Sequence, residues 1–268
     1  MKLTVRDMEL YYELHGEVGD ADRPWIVFSH SLACETGMWA PQLAEFARHY
    51  RVLAFDTRGH GRSGAPPGPY TMDLLAQDLD WLLLALEISK AHFVGLSMGG
   101  MIGETYALAH RDAFASLTLA DTTSRWPPEA MSVFAERARV ALERGMDPLV
   151  EATLGRWFTP AFHKSNPADV AKIGDMIRRT PPVGYAACSD AIPRVNVTAR
   201  LGEIRCPILV MVGKEDPGTP VSMSREIHEN APGSELVVID NAAHLSNVEQ
   251  AAVFNRILSR FLDRCASR

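Results

Sequence analysis

The chain has no apolar run long enough to cross a bilayer. The longest, Trp81 to Leu86, falls far short of the ~20 residues a spanning helix needs. Cysteine is scarce: Cys34, Cys188, Cys206 and Cys265 lie far apart, with neither metal-type spacing nor a disulfide framework. The 9 histidines form no His-x-x-x-His pair and no carboxylate cluster at ligand spacing accompanies them, so no metal is expected. Basic charge is also lacking. With 27 Lys and Arg against 33 Asp and Glu, the net charge is −6, which gives no electrostatic case for nucleic acid. Basic pairs such as Arg178-Arg179 read as solvated helix faces. The opening Met1-Lys2-Leu3-Thr4-Val5-Arg6-Asp7 carries no apolar h-region and no cleavage site. The expectation is a cytoplasmic protein with reduced thiols and no membrane partner. There are no internal repeats and no low-complexity tracts.

What is present is a chain of 268 residues, 47% hydrophobic and 22% charged, enough for one large core with an insertion. Strand signals at Leu10–Leu14, Trp25–Ser29 and Arg51–Phe55 come first. Thr71 then opens a helix with an apolar stripe of Leu74, Leu75, Leu79, Leu82, Leu83 and Leu86. A strand at 91–94, a helix from about Met98 to His110 and a strand at 117–120 follow. Alternating strands and helices predict an α/β fold with a mostly parallel central sheet flanked by helices. The pattern breaks at Asp121 and turns helical from Trp126 to about Val195, punctuated by prolines. It resumes with Ile208–Val212, a helix around Val221–Glu229 and the strand Leu236–Ile239. The Ser246-Asn247-Val248-Glu249 pattern reads as a capping box opening the last helix. The expected organisation is a core of 1–123 and 196–268 with an inserted helical cap, or lid, at 124–195.

Gly95-Leu96-Ser97-Met98-Gly99 stands between a predicted strand and a predicted helix, the context of a nucleophile elbow. The sharp turn strains its central residue and leaves no room for a Cβ at either glycine. Ser97 is therefore the candidate nucleophile. A serine hydroxyl needs a base, and the base needs an orienting group. On elbows of this kind the chain order is Ser, acid, His. His244, five residues past Ile239 among small residues, is the candidate base; His110, His163 and His228 fall on helices or in the insertion. Asp216, in Gly213-Lys214-Glu215-Asp216-Pro217, is the candidate acid. Asp121, at the end of the strand after the nucleophile helix, is the alternative acid. Backbone amides of Met98 and Leu32 are candidate oxyanion donors. Gly59-His60-Gly61-Arg62-Ser63-Gly64 mimics a dinucleotide fingerprint, but Pro66 and Pro67 stand where the phosphate-binding helix would run. It reads as a glycine-rich loop under the site, and no cofactor is expected.

With these residues placed, the chain resembles the α/β-hydrolases and, more narrowly, the 3-oxoadipate enol-lactonases. The likeness runs through Met38-Trp39-Ala40-Pro41-Gln42, Asp56–Ser63 and Gly68-Pro69-Tyr70. It continues through Gly95–Gly103, Arg156-Trp157-Phe158-Thr159-Pro160, Gly184-Tyr185-Ala186-Ala187-Cys188 and Ala243–Gln250. Two stretches depart from the family. Its Ser-Asn-Ser-Leu-Gly is here Ser29-His30-Ser31-Leu32-Ala33, then Cys34, and its Ala-Asn-Thr-Ala is Ala120-Asp121-Thr122-Thr123. The resemblance implies a serine hydrolase acting on a small-molecule ester or lactone through an acyl-enzyme. The substrate would be anionic, which makes Arg137, Arg139 and Arg156 candidate partners for it. Trp126 and Trp157 are further candidate contacts from the cap. Alternatives on the same residues are a broad carboxylesterase or other lactonase, then a perhydrolase or carbon–carbon bond hydrolase. A non-catalytic ligand receptor on this fold is the alternative of another class. The oligomeric state is left open.

Overall fold

The structure, a computed structural model, describes residues 1–16 and 23–266. Its strands are β1 (Lys2–Val5), β2 (Met8–His15), β3 (Trp25–Ser29), β4 (Arg51–Phe55), β5 (Ala91–Leu96), β6 (Phe114–Ala120), β7 (Ile208–Gly213) and β8 (Glu235–Ile239). They form one sheet in the order β1-β2-β4-β3-β5-β6-β7-β8. The pairings β1/β2 and β2/β4 are antiparallel and the rest are parallel. Burial follows from this. At the parallel centre every residue of β5 and β7 is buried, and β3 and β4 are buried beyond their first residue, because helices cover both faces. Antiparallel β2 instead alternates, burying Met8, Leu10 and Tyr12 and turning the residues between outward.

The core helices are α1 (Ala40–Phe46), α2 (Met72–Ala85), α3 (Met98–Ala109), α9 (Val221–Asn230), the short α10 (Ser246–Glu249) and α11 (Ala251–Ala266). Thr71 opens α2 as its sequence predicts, its hydroxyl accepting from Leu74 N at 3.0 Å. α3 packs on β3, β5 and β6, α11 on β6, and α9 on β7 and β8. Among the described residues no helix is long and apolar enough to cross a membrane.

Between β6 and β7 lie α4 (Ala130–Arg144), α5 (Asp147–Trp157), α6 (Pro160–Ser165), α7 (Pro167–Arg179) and α8 (Pro182–Ala191). The two chain segments joining them to the sheet meet in an antiparallel bridge, Arg125 with Asn196. Val197 N donates to Ser124 O at 2.8 Å beside it. The insertion also rests on the sheet end at a second point, where Gly184 of α8 lies against Gly59. A Cβ on Gly59 would stand 2.6 Å from Gly184 Cα.

The predicted capping box is not formed. Ser246 Oγ donates to Asp121 Oδ2, and Glu249 accepts from Thr159 N at 3.0 Å and Ala243 N at 2.8 Å. Both side chains bond groups outside this helix, which ends at Glu249, and α11 starts anew at Ala251. Local capping loses when buried tertiary partners satisfy the same atoms.

Candidate active site

Ser97 sits between β5 and α3 at φ 55° and ψ −115°, a strained backbone for a non-glycine residue. The flanking glycines make the turn possible. A Cβ on Gly95 would stand 2.2 Å from Gly99 O, and one on Gly99 2.1 Å from Ser29 O. The elbow is then tied to β6, with Ser97 N donating to Ala120 O at 2.9 Å and Thr122 Oγ1 donating to Ser97 O at 2.7 Å.

His244 and Asp216 meet in the loops beyond β8 and β7. His244 Nδ1 lies 2.7 Å from Asp216 Oδ2. A carboxylate can only accept, so Nδ1 is the donor and Nε2 is left to accept a proton. Asp216 is itself held by Gly218 N at 2.7 Å, Thr219 N at 3.1 Å and Thr219 Oγ1 at 2.7 Å. Burial disfavours both charges, but the pair outweighs it: Asp216 holds His244 above the ordinary imidazole value, and His244 holds Asp216 below the ordinary carboxyl value.

Asp121 is fully buried and not part of that pair. Its oxygens accept from Gly213 N at 2.7 Å and from Ser246 Oγ. Burial first, then the Asp216 charge, push its carboxyl up to about 8.

The two candidate amide donors, Leu32 and Met98, stand in different local settings. Met98 opens α3, and first-turn amides have no acceptor inside the helix. Leu32 follows a carbonyl that is tied down twice: Ser31 O accepts from His30 Nδ1 at 2.7 Å and from Cys34 N at 3.1 Å. Burial lowers His30 to about 4, so it stays neutral and its other nitrogen accepts from Thr57 N at 2.9 Å. In a trans peptide N–H opposes C=O, so the anchored Ser31 carbonyl turns the Leu32 amide away from His30.

A cavity of about 280 Å³ is lined by Leu32, Ser97 and His244 but not by Asp216, Asp121 or Met98. Ser31, Leu32, Ser97, Thr219 and His244 line it from the core, and Trp126, Phe134, Arg137, Arg156, Trp157 and Tyr185 from the insertion. The Trp157 ring stacks near His244, centroids 6.0 Å apart. Arg156 donates to Thr153 Oγ1 at 3.2 Å, and Arg137 lies 5.5 Å over the Phe134 ring. Among the described residues neither guanidinium is paired with a carboxylate. Burial and the Arg137 charge both push Arg156 below its ordinary value. Arg139 does not reach this cavity. It is an exposed surface residue bonded to Glu136 and Glu143 of its own helix. Residues 137 and 139 lie ~200° apart around α4, so one turns inward and the other out.

Sequence reasoning missed Thr219 and Tyr185. Asp216-Pro217-Gly218-Thr219 carried a signal for the first, since an Asp two or three residues ahead of free amides forms a turn on its own side chain. For Tyr185 the signal was the resemblance through Gly184–Cys188 alone, and it reaches the cavity from α8, which packs on α4. Among the described residues no group of three or more His, Cys, Asp or Glu is placed to hold a metal ion.

A family model described as alpha/beta hydrolase fold matches residues 24–251. The chain belongs to that family, and it is a carboxylic-ester hydrolase of the α/β-hydrolase fold. Within the family its likeness is to enol-lactonases. It is 37% identical to 3-oxoadipate enol-lactonase 2 of Acinetobacter baylyi over 262 residues, 98% of this chain and 96% of that one. The enol-lactonase from Burkholderia xenovorans LB400 superposes with a TM-score of 0.93 at 38% identity, covering 98% of this chain and 100% of that one. A thermophilic esterase from Thermogutta terrifontis, solved with malate bound, gives 0.91 at 30% identity, with 96% and 94% covered.

Proposed function

We propose that the chain hydrolyses an anionic lactone of the 3-oxoadipate enol-lactone type, with Ser97 as nucleophile, His244 as base and Asp216 as orienting acid. Ser97 Oγ attacks the lactone carbonyl while His244 Nε2 takes its proton, and Asp216 stabilises the imidazolium. The Leu32 and Met98 amides receive the oxyanion. The lactone C–O bond breaks, the departing enolate oxygen takes the proton from His244, and water activated by the same imidazole releases the acid and restores Ser97. Residues 124–195 act as a lid that supplies the far wall of the pocket.

The observation that carries the substrate class is the Arg137–Arg156 pair. Two guanidiniums facing one cavity repel each other, and an arrangement of that kind is stabilised when a carboxylate binds between them. The enol-lactonase relatives and the malate-bound esterase agree with an acidic ligand.

The test is a hydrolysis screen of 3-oxoadipate enol-lactone, uncharged lactones and p-nitrophenyl acetate, repeated on Arg137→Ala and Arg156→Ala. The acidic lactone is expected to have the highest kcat/KM. Each substitution should raise its KM roughly 10- to 100-fold, the value of a charged hydrogen bond, and leave the uncharged ester nearly unaffected. Faster cleavage of p-nitrophenyl acetate, or equal KM effects on both substrates, overturns the assignment.

A further inference from the structure

Asp121 bonds two of the three loops that carry the proposed triad, and the residues on either side of it bond the third. Its chain neighbours hold the elbow: Ala120 O accepts from Ser97 N, and Thr122 Oγ1 donates to Ser97 O. Its side chain reaches the other two loops. Oδ1 accepts from Gly213 N at 2.7 Å, and Gly213 O in turn accepts from Asp216 N at 3.2 Å. That contact fixes the first residue of the turn ending in the acid. Oδ2 accepts from the hydroxyl of Ser246, two residues beyond His244. Asp121 and Ser246 are both completely buried. Asp121 also holds φ 45°, a left-handed backbone that a non-glycine residue keeps where the surroundings impose it.

We propose that Asp121 is a positioning residue, a single carboxyl that clamps the acid turn and the histidine loop onto the nucleophile elbow and so keeps His244 in register with Ser97. The proposal rests on the serine-hydrolase reading above. Asp216 and His244 are the titratable groups facing the clamp. Those facing His244 are Asp216, Asp121 and Arg156 of α5. Burial and the Asp216 charge favour the neutral form of the Asp121 carboxyl, in which its own proton is given to Ser246 Oγ and the hydroxyl turns its hydrogen elsewhere. An asparagine can stand in for that form. Its carbonyl accepts from Gly213 N, and its amide donates to the Ser246 hydroxyl, which takes either part. An alanine leaves both partners without an acceptor in a buried place.

The experiment compares Asp121→Ala, Asp121→Asn, Ser246→Ala and the Asp121→Ala/Ser246→Ala double variant. Two readouts are used: kcat and KM on the ester the wild type cleaves, and the downfield proton NMR resonance of His244 Nδ1–H. The resonance needs no turnover, so loss of the clamp and failure of the hydrolase reading are seen separately. Asp121→Ala should lower kcat about 100-fold, the order expected for a ~1 Å misplacement, with KM within about threefold of wild type and the resonance broadened. Asp121→Asn should recover most of both. Ser246→Ala should cost about tenfold in kcat and add nothing on top of Asp121→Ala, as for two halves of one contact. Should Asp121→Ala not fold, Ser246→Ala still removes one arm. Unchanged kcat and resonance in Ser246→Ala or Asp121→Ala overturn the clamp, as does an Asp121→Asn loss as deep as that of alanine.

Discussion

Ser97 is strained and His244 is buried beside a carboxylate, and the two facts give separate tests. Ser97→Ala removes one oxygen from a side chain that makes no hydrogen bond to another described residue. Turnover should vanish while the thermal midpoint stays within about 1–2 °C, as for a substitution that leaves no cavity and no orphaned partner. Retained activity, assayed with purified protein, would reject Ser97 as nucleophile. In the proposed mechanism His244 must be neutral to accept the Ser97 proton, and Asp216 holds its pKa above 6.5. The acid limb of kcat/KM should therefore have its midpoint above pH 6.5, with activity falling as pH drops through it. An inflection below 6.5 would contradict the pairing. Stability follows the same signs. The raised His244 contributes below its ordinary pKa and loses that contribution as pH rises through the folded value. Asp216, lowered from 3.8, contributes above that value and loses its share as pH falls through the lower one.

At the scale of single elements, the elbow was readable because its requirement is steric and local. A strand, a turn with no room for Cβ atoms and a helix are all written within a few consecutive residues. Thr71 was readable for the same reason. Helix α1 and strand β1 were not: α1 is 7 residues and β1 is 4, too short for periodicity to stand out. The capping box at 246–249 misled because a motif states what side chains can do locally, whereas burial decided what they bond. Arg137 could have been separated from Arg139, since Ala130, Phe134 and Ala141 form the buried stripe of α4 and position 137 falls in that stripe. Contact between insertion and core gives a test at this scale. A Cβ on Gly184 would stand 2.2 Å from Gly59 O, backbone that cannot turn aside. Gly184→Ala is expected to destabilise the protein by about 1–3 kcal/mol, as overpacking does, read from urea denaturation. An unchanged midpoint would show that α8 lifts freely off the core.

Across the molecule, the insertion is not fastened evenly. At the α5–α6 corner Leu245 N donates to Trp157 O at 3.1 Å, and Glu249 joins Thr159 to Ala243. α4 buries only 3 of its 15 residues. If 124–195 works as a lid, its motion belongs to α4 and not to the corner that carries Trp157 past His244. Hydrogen exchange should then be at least about tenfold faster in mid-α4 amides than at Leu245, and equal protection would argue for a rigid wall.

The sequence by itself determined the class of fold and the strand–turn–helix around Gly95–Gly99, and it offered Ser97, two carboxylates and His244 as candidates, because each is set by spacing along the chain and by the shape of single residues. Only the tertiary structure decided which carboxylate meets His244, which arginines share a cavity, and that Asp121 and its chain neighbours join three loops. The Asp121 contacts join residues 92 and 125 positions apart, and His244 and Asp216, 28 apart, stand in separate loops; no local pattern carries these meetings, which the packing of a twisted parallel sheet sets by gathering the loops at one end of its strands.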